Sequence, residues 1–246
     1  MNSLIEELIS RMPGSDIYPK GVVHEIRPKV RGRSFFPGGC GLSGGFQATL
    51  RSRPIMLVGQ DFGNLDYWST LDANQDEKLQ GTWSGLMRMI QPTGVDLSDC
   101  FLSNALLGVR ISPEIDGPSP GLDYSEYVGA SVEFLLEQIR IVQPSVVVTL
   151  GAVPTSLVAR KLGLASALRA PTSKKVAEWK EIDDLELQVK SDVIVLGCKA
   201  FTFASSVHPD RYWLHTKHRS FGDLKGADAH LEIWKRVKLA ADCSAK

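Results

Sequence analysis

Three polar side chains that could do chemistry stand where apolar runs of the sequence end or break. Asp61 follows the first run, Asn104 interrupts the second, which is a predicted strand at residues 100–110, and His208 follows the third. A carboxylate can stabilise a positive charge or orient a water, an imidazole can donate a proton, and an amide can read the polar edge of a ligand. Ligands of open α/β sheets bind at the carboxyl ends of the strands, so this arrangement predicts one shared site.

Each of these side chains also has a purely structural interpretation. Asp61 could cap the helix that follows it. His208 could be hydrogen-bonded inside the fold, although its place before Pro209 at a strand end favours a functional role. A buried asparagine without partners costs about 1–3 kcal/mol, so Asn104 either ties down a loop or is held ready for a ligand.

The elements that must position these groups follow an alternating pattern. Residues 55–58 form an unbroken apolar run, which predicts a buried strand of a parallel sheet, and Gly63 stands in the turn after it. A β-branched run at residues 145–150 predicts a second buried strand, and residues 152–163 predict a helix. Strand–helix alternation of this kind is typical of βαβ units, so we predict an α/β fold with a parallel sheet.

Further helical patterns predict the packing around this sheet. Residues 2–12, 123–143 and 226–240 carry apolar stripes and are predicted to form helices. Residues 81–90 also have helical spacing, which favours core burial of their apolar side chains. Trp83 stands at the start of that helix, where its ring could instead project into a cleft.

The segment 22–46 differs in character from the rest of the chain. Basic residues alternate with others over 27–33, and five glycines stand between Pro37 and Gly45. Such a loop can bring backbone N–H groups close to phosphates, or it can be a connection with a solvated basic rim. We predict a single domain over residues 1–246, with an N-terminal extension and this glycine-rich loop at about 1–50.

Composition and charge narrow the possible classes of protein. The 246 residues, 43% hydrophobic and 23% charged, fit one sizeable globular domain. Lys+Arg and Asp+Glu both total 28, so a DNA-binding face would have to come from local clusters. No apolar run approaches the ~20 residues of a membrane span, and no signal-peptide pattern is present. The four cysteines lie far apart, which suits a reducing cytoplasm, and we expect neither a metal nor a cofactor.

Taken together, the three polar features resemble the uracil-DNA glycosylase superfamily. The triplet GQD at 59–61 matches its water-activating motif, LSNALLGVR at 102–110 resembles the strand whose asparagine reads uracil, and HPDRYW at 208–213 looks like its His-Pro loop. The order and spacing agree over about residues 54–221. The resemblance implies a three-layer α/β/α fold with a central, mostly parallel sheet of about four strands.

The resemblance also implies roles for individual residues. Asp61 and His208 would be catalytic, the first stabilising the sugar cation and orienting a water, the second donating to the base oxygen. Contacts to the base are implied for Gln60, Phe62, Gly63, Trp83 and Asn104. Contacts to DNA are implied for Arg211, Tyr212, Lys217 and Arg219, with Tyr212 in the position of the family's intercalating leucine.

The chain departs from the uracil-specific family in the two loops that surround the base. Phe62 and Gly63 replace a Pro-Tyr pair whose tyrosine blocks the thymine methyl, and Gly63 looks more like other branches of the superfamily. Asp210 and Arg211 stand where the best-known family has Ser-Pro. The cysteines of the iron–sulfur branches are absent. These departures leave open which base is accepted.

We therefore expect a monomeric DNA glycosylase that acts on DNA containing uracil or another deaminated or mismatched base, with no membrane partner and a cytoplasmic or nucleoid location. The alternative is a protein of the same fold that binds damaged or single-stranded DNA without excising a base, favoured by the neutral charge and the altered loop after Asp61. A small α/β hydrolase or nucleotide-binding protein is a third interpretation, but the sequence contains no nucleophile elbow or P-loop.

Overall fold

The computed structural model describes residues 3–25, 55–66, 81–96, 100–114, 116–164, 169–176, 193–196, 199–206, 220–221 and 223–243. The main helices in these ranges are α1 (Ser3–Ser10), α2 (Gly81–Ile90), α3 (Ser125–Val142), α4 (Ala152–Lys161) and α5 (Gly226–Cys243). The strands are β1 (Val23–His24), β2 (Ile55–Gly59), β3 (Cys100–Asn104), β4 (Val109–Arg110), β5 (Val146–Leu150), β6 (Val193–Leu196), β7 (Lys199–Ser206), β8 (Ser220–Phe221) and β9 (Leu224–Lys225).

The central sheet has the strand order β3-β2-β5-β7-β6. The first four strands run parallel, and β6 pairs antiparallel with β7 at one edge. The predicted α/β class and the mostly parallel sheet are therefore confirmed. The sheet has five strands where about four were expected, and the antiparallel strand β6 accounts for the difference.

Helices cover both faces of the sheet, and the strand β2 is apolar on both sides. Met56 and Val58 of β2 pack in a cluster with residues of α1, α3 and α4. Ile55 and Leu57, which alternate with them, pack in a second cluster with residues of α2 and α5. The side chains of β2 are fully buried between these two layers, which explains the unbroken apolar run in the sequence.

The strand order creates a switch point between β2 and β5. The chain leaves β2 toward β3 on one side, whereas it leaves β5 toward β7 on the other. The crossover helix α2 lies on one face and α3 and α4 lie on the opposite face, as right-handed crossovers in opposite directions require. A crevice at the carboxyl ends of β2 and β5 is the expected ligand site of such a sheet.

A two-stranded ribbon of β1 and β4 lies beside the sheet and holds Arg110 in register with Val23. Gly108 makes this ribbon possible, since its φ is +79° and an added Cβ would lie 2.6 Å from the His24 carbonyl oxygen. The strand predicted over residues 100–110 is confirmed only for Cys100–Asn104. The strand of the central sheet ends at Asn104, and the chain turns before β4 begins at Val109.

Other predicted boundaries differ by a few residues, as fraying ends usually do. The helix predicted over 123–143 spans Ser125–Val142, and the C-terminal helix extends to Cys243 rather than ending at 240. Within the described ranges, no helix combines the length and the apolar character that a membrane span requires.

Candidate active site

The candidate site lies at the carboxyl edge of the sheet, on the neighbouring strands β2 and β3. Gly59, the last residue of β2, pairs with Asn104, the last residue of β3. The pairing continues past both strand ends, because the Leu106 N–H donates to the Gln60 carbonyl oxygen at 2.9 Å. Asp61 follows directly, so it stands at the same edge of the sheet as Asn104.

Asn104 is buried without the hydrogen bonds that a structural asparagine makes. Its exposed fraction is 3%, and among the described residues neither its side-chain oxygen nor its side-chain nitrogen has a partner. The adjacent Ser103 shows the contrast, since its hydroxyl donates to Gln138 Oε1 at 2.6 Å. Asn104 therefore does not tie down a loop in this conformation, and its desolvated amide remains unexplained by the fold itself.

The side of the sheet that Asn104 occupies follows from alternation along β3. Leu102 packs in the cluster formed with α2 and α5, and Asn104, two residues later, lies on the same face. α2 packs on this same face through Leu86, Met89 and Ile90, and Trp83 stands in its first turn.

The Asp61 carboxylate is held by three donors and is almost withdrawn from solvent. Arg110 Nε donates to Oδ2 at 2.7 Å, and the two side chains are 4% and 6% exposed. Gln60 Nε2 also lies 3.3 Å from Oδ2, and the Gly63 N–H donates to Oδ1 at 3.1 Å. The last bond closes an Asx-type turn, so Asp61 supports the local backbone as well as carrying a buried charge.

The remaining donors of Arg110 connect this carboxylate to the chain that follows β4. Nη1 donates to the Asp116 carbonyl oxygen at 3.1 Å, and Nη2 donates to the Gly117 carbonyl oxygen at 2.9 Å. Gln60 Nε2 reaches the same Gly117 oxygen at 3.0 Å. One guanidinium and one amide thus fix residues 116–117 against the loop after β2.

Tyr127 of α3 lies on the Arg110 side of the edge. Its hydroxyl donates to the Leu107 carbonyl oxygen. Burial raises the pKa of the Tyr127 phenol well above its usual value, and the negative charge of Asp61 raises it further. Tyr127 packs in the cluster with Met56 and Val58, so Asp61 approaches the edge from the α3 side whereas Asn104 lies on the α2 side.

Phe62 and Gly63 belong to the same loop but have different surroundings. Phe62 is 4% exposed and packs in a small cluster with Val109, next to Met12 and Leu65. Gly63 has a φ of +75°, a conformation that side-chain-bearing residues rarely adopt. Its carbonyl oxygen also accepts the Arg110 N–H at 2.8 Å, so this glycine fixes the backbone on both sides of the ion pair.

Several residues named by the sequence lie outside the described residues. They are His208, Arg211, Tyr212, Lys217 and Arg219, together with the glycine-rich loop at 37–45. The strand that leads to His208 is described, however. β7 runs parallel to β5 and ends at Ser206, so the chain leaves the sheet toward His208 at the same edge that carries Asp61 and Asn104.

Arg110 is the residue of this site that the sequence did not single out. It ends the motif at 102–110, and a two-residue strand has no periodic signal that predicts a buried arginine.

Over the described residues, no three His, Cys, Asp or Glu side chains come together as a metal site. No protein-family model matches the chain, and no curated protein matches its sequence.

Proposed function

We propose that this protein is a DNA glycosylase of the uracil-DNA glycosylase superfamily, which hydrolyses the N-glycosidic bond of uracil or another deaminated or mismatched base in DNA. The ordered motifs at 59–61, 102–110 and 208–213 support this proposal. The parallel pairing supports it too, because the ends of β2, β3 and β7, at Gly59, Asn104 and Ser206, lie at one edge of the sheet.

The observation that carries the proposal is the unpaired amide of Asn104. Burying both polar atoms without partners costs about 1–3 kcal/mol relative to paired groups, which a fold has no reason to sustain for stability alone. A pyrimidine edge offers a carbonyl oxygen and a ring N–H side by side, and these match the amide's donor and acceptor. Since the amide is shielded from solvent, the base enters only after neighbouring side chains move apart.

The proposed reaction uses the two sides of the sheet edge. The base binds at Asn104 on the α2 face, with Trp83 or Phe62 against its ring, while the sugar lies toward Asp61 on the α3 side. The bond between C1′ and the base nitrogen breaks, positive charge develops on the sugar, and a water oriented by Asp61 forms the new C–O bond. That water gives up one proton, which ends on the departing base. The leaving base carries the negative charge, which a hydrogen bond from His208 stabilises.

The same proposal assigns DNA binding to the segment after β7. Flipping a base out of the duplex costs a few kcal/mol, and an aromatic side chain at Tyr212 can fill the gap by stacking. Arg211, Lys217 and Arg219 carry the positive charge that flanking phosphates require. Binding by these groups weakens as the salt concentration rises, because counterions compete for the phosphates.

A second function is favoured by one observation, the ion pair between Asp61 and Arg110. A carboxylate whose charge is already compensated at 2.7 Å is less able to stabilise a sugar cation. A protein of this fold that binds damaged or single-stranded DNA without excising a base would tolerate this pairing. The two functions share the fold and the buried amide of Asn104 and differ in turnover.

The deciding experiment measures base excision directly. The wild-type protein is incubated with single- and double-stranded oligonucleotides containing uracil, hypoxanthine, xanthine or a G·T mismatch, and abasic sites are detected by strand cleavage with alkali. We expect excision of at least one base. Salt-dependent DNA binding without excision on every substrate would overturn the glycosylase and leave the binding protein.

The Asn104→Asp variant tests the assigned role of the amide in the same assay. A carboxylate accepts hydrogen bonds but cannot donate to a carbonyl oxygen, so excision of uracil should fall and excision of cytosine should rise relative to it. An unchanged base preference would mean that Asn104 does not read the base.

A further inference from the structure

One guanidinium joins three pieces of chain at the candidate site. The Arg110 side chain donates to Asp61 and to the carbonyl oxygens of Asp116 and Gly117. Its backbone N–H donates to the Gly63 carbonyl oxygen at 2.8 Å, in the turn that also holds Asp61. The backbone hydrogen bond therefore fixes the position of Arg110 independently of the contact between its side chain and the carboxylate.

The contacts of Asp61 divide unequally between its two oxygens. A carboxylate offers about four acceptor positions, two on each oxygen. Oδ2 receives Arg110 Nε and Gln60 Nε2, whereas Oδ1 receives only the Gly63 N–H among the described residues. The acceptor position that is left belongs to Oδ1, so the two oxygens are not equivalent.

We propose that Arg110 is a positioning residue for Asp61: by occupying Oδ2 it presents Oδ1 as the oxygen that orients the attacking water. This inference rests on the proposed glycosylase function and adds to it the residue that aims the carboxylate. Arg110 contacts neither base nor sugar in this scheme and acts only through Asp61. Without it Oδ2 also has a free acceptor position, so the carboxylate can rotate about its Cβ–Cγ bond and offer either oxygen to the water.

The type of side chain at this position is part of the inference. Arginine has a planar fork whose donors point in fixed directions, so it can hold Oδ2 and two carbonyl oxygens at once. Lysine keeps the positive charge but is a point donor on a flexible stem, so it compensates the charge without fixing the carboxylate plane. Arg110→Lys therefore separates the aiming of Asp61 from the neutralisation of its charge.

The test compares Arg110→Lys with a variant that loosens the same region without contacting Asp61. Asn64 is 2% exposed, and its Nδ2 donates to the Pro113 carbonyl oxygen at 2.8 Å, so Asn64→Ala releases the backbone at Pro113, three residues before Asp116. Single-turnover excision on the best substrate is measured for both variants, alone and combined with Asp61→Asn. The carboxyl 13C resonance of Asp61, assigned by its loss in Asp61→Asn, is recorded without DNA.

We expect Arg110→Lys to lower the excision rate by about 10²-fold, the effect typical of a misplaced reacting group. The dissociation constant for DNA should stay unchanged, and the Asp61 resonance should move. In the Asp61→Asn background the same substitution should lower the rate no further, because there is no carboxylate left to aim. Asn64→Ala should leave the resonance in place and reduce the rate far less.

Two results would overturn the inference while the glycosylase stands. In the first, Arg110→Lys lowers the excision rate by the same factor in the wild-type and Asp61→Asn backgrounds. In the second, the Asp61 resonance does not move in Arg110→Lys. A third result overturns the proposed function instead: the wild-type protein excises no base, but the Asp61 resonance moves in Arg110→Lys. In that case Arg110 still sets the position of Asp61, and only its link to excision is lost.

Discussion

Asn104 stands opposite Gly59 in the last pair of the β2–β3 ladder. Paired residues of neighbouring strands project to the same face, so a glycine at this position leaves the space beside the asparagine unfilled from β2. The β2–β3 ladder thus ends with a pair in which Asn104 carries a polar side chain and Gly59 carries none. This local geometry suits an edge that accepts a flat ligand between side chains, and it places Asp61 two residues farther along.

The unpaired amide leads to a prediction about stability that needs no substrate. Asn104→Leu keeps a similar volume and removes two polar atoms that are buried without partners, so the free energy of unfolding should rise by about 1–3 kcal/mol. The same variant should lose base excision. Urea unfolding of the wild type and the variant measures the first effect, and the abasic-site assay measures the second.

The neighbouring Ser103 provides the matched control on the same strand. Its hydroxyl is bonded to Gln138 Oε1, so Ser103→Ala leaves a buried acceptor unpaired and should lower the free energy of unfolding by about 1–3 kcal/mol. The two substitutions therefore have opposite signs. A loss of stability in Asn104→Leu comparable to that in Ser103→Ala would mean that the amide is paired in solution and is structural.

Asp61→Asn tests the charge at the end of β2. The amide keeps the shape of the side chain but removes its negative charge, so excision should fall by about 10²–10³-fold, the effect of losing one preorganised electrostatic group. Binding to a duplex with a non-cleavable abasic analogue should persist. An unchanged excision rate would show that another group orients the water.

The features of this site that the sequence predicts are those formed by residues close together in the chain. The buried strand at residues 55–58 is a local feature, and its prediction is confirmed by β2. The polar break at Asn104 is also local, but it marks the end of β3 and not an interruption inside a longer strand. The ion pair was missed because Arg110 and Asp61 are 49 residues apart and no local pattern relates them. The antiparallel direction of β6 was missed as well, because a short apolar strand reads the same in either direction.

Gly108 marks the closest backbone approach in the ribbon that carries Arg110. In Gly108→Ala the new Cβ would meet the His24 carbonyl oxygen at 2.6 Å and Val23 Cγ1 at 2.7 Å, at a φ of +79°. We expect a destabilisation larger than the roughly 1–2 kcal/mol of left-handed strain alone, and a loss of excision as Arg110 shifts. Urea unfolding and the excision assay measure the two effects.

Gly94 isolates the contribution of the backbone conformation to this loss. Its φ is +72°, but nothing lies within 4 Å of an added Cβ, so Gly94→Ala should cost only the strain term. Excision by Gly94→Ala should stay close to that of the wild type. Equal losses of stability in the two variants would show that β1 and β4 separate easily and do not hold Arg110.

The last prediction concerns the stability of the fold at high pH. Burial first, and then the charge of Asp61, raise the pKa of Tyr127 above the value of 10.0 that an unfolded chain would have. Above about pH 10 the unfolded chain therefore loses a proton that the folded protein keeps. The stability that Tyr127 contributes is fully present below that pH and is lost as the pH rises, by about 1.4 kcal/mol per pH unit for one proton.

Tyr127→Phe removes this proton and leaves the Leu107 carbonyl oxygen without its donor. The free energy of unfolding of this variant should therefore be lower than that of the wild type at pH 7, but it should fall less steeply between pH 10 and 11. The exposed Tyr124→Phe is the control and should follow the wild-type curve. Parallel curves for wild type and Tyr127→Phe would show that the phenol ionises as readily in the folded protein as in the unfolded chain, and that Asp61 does not influence it.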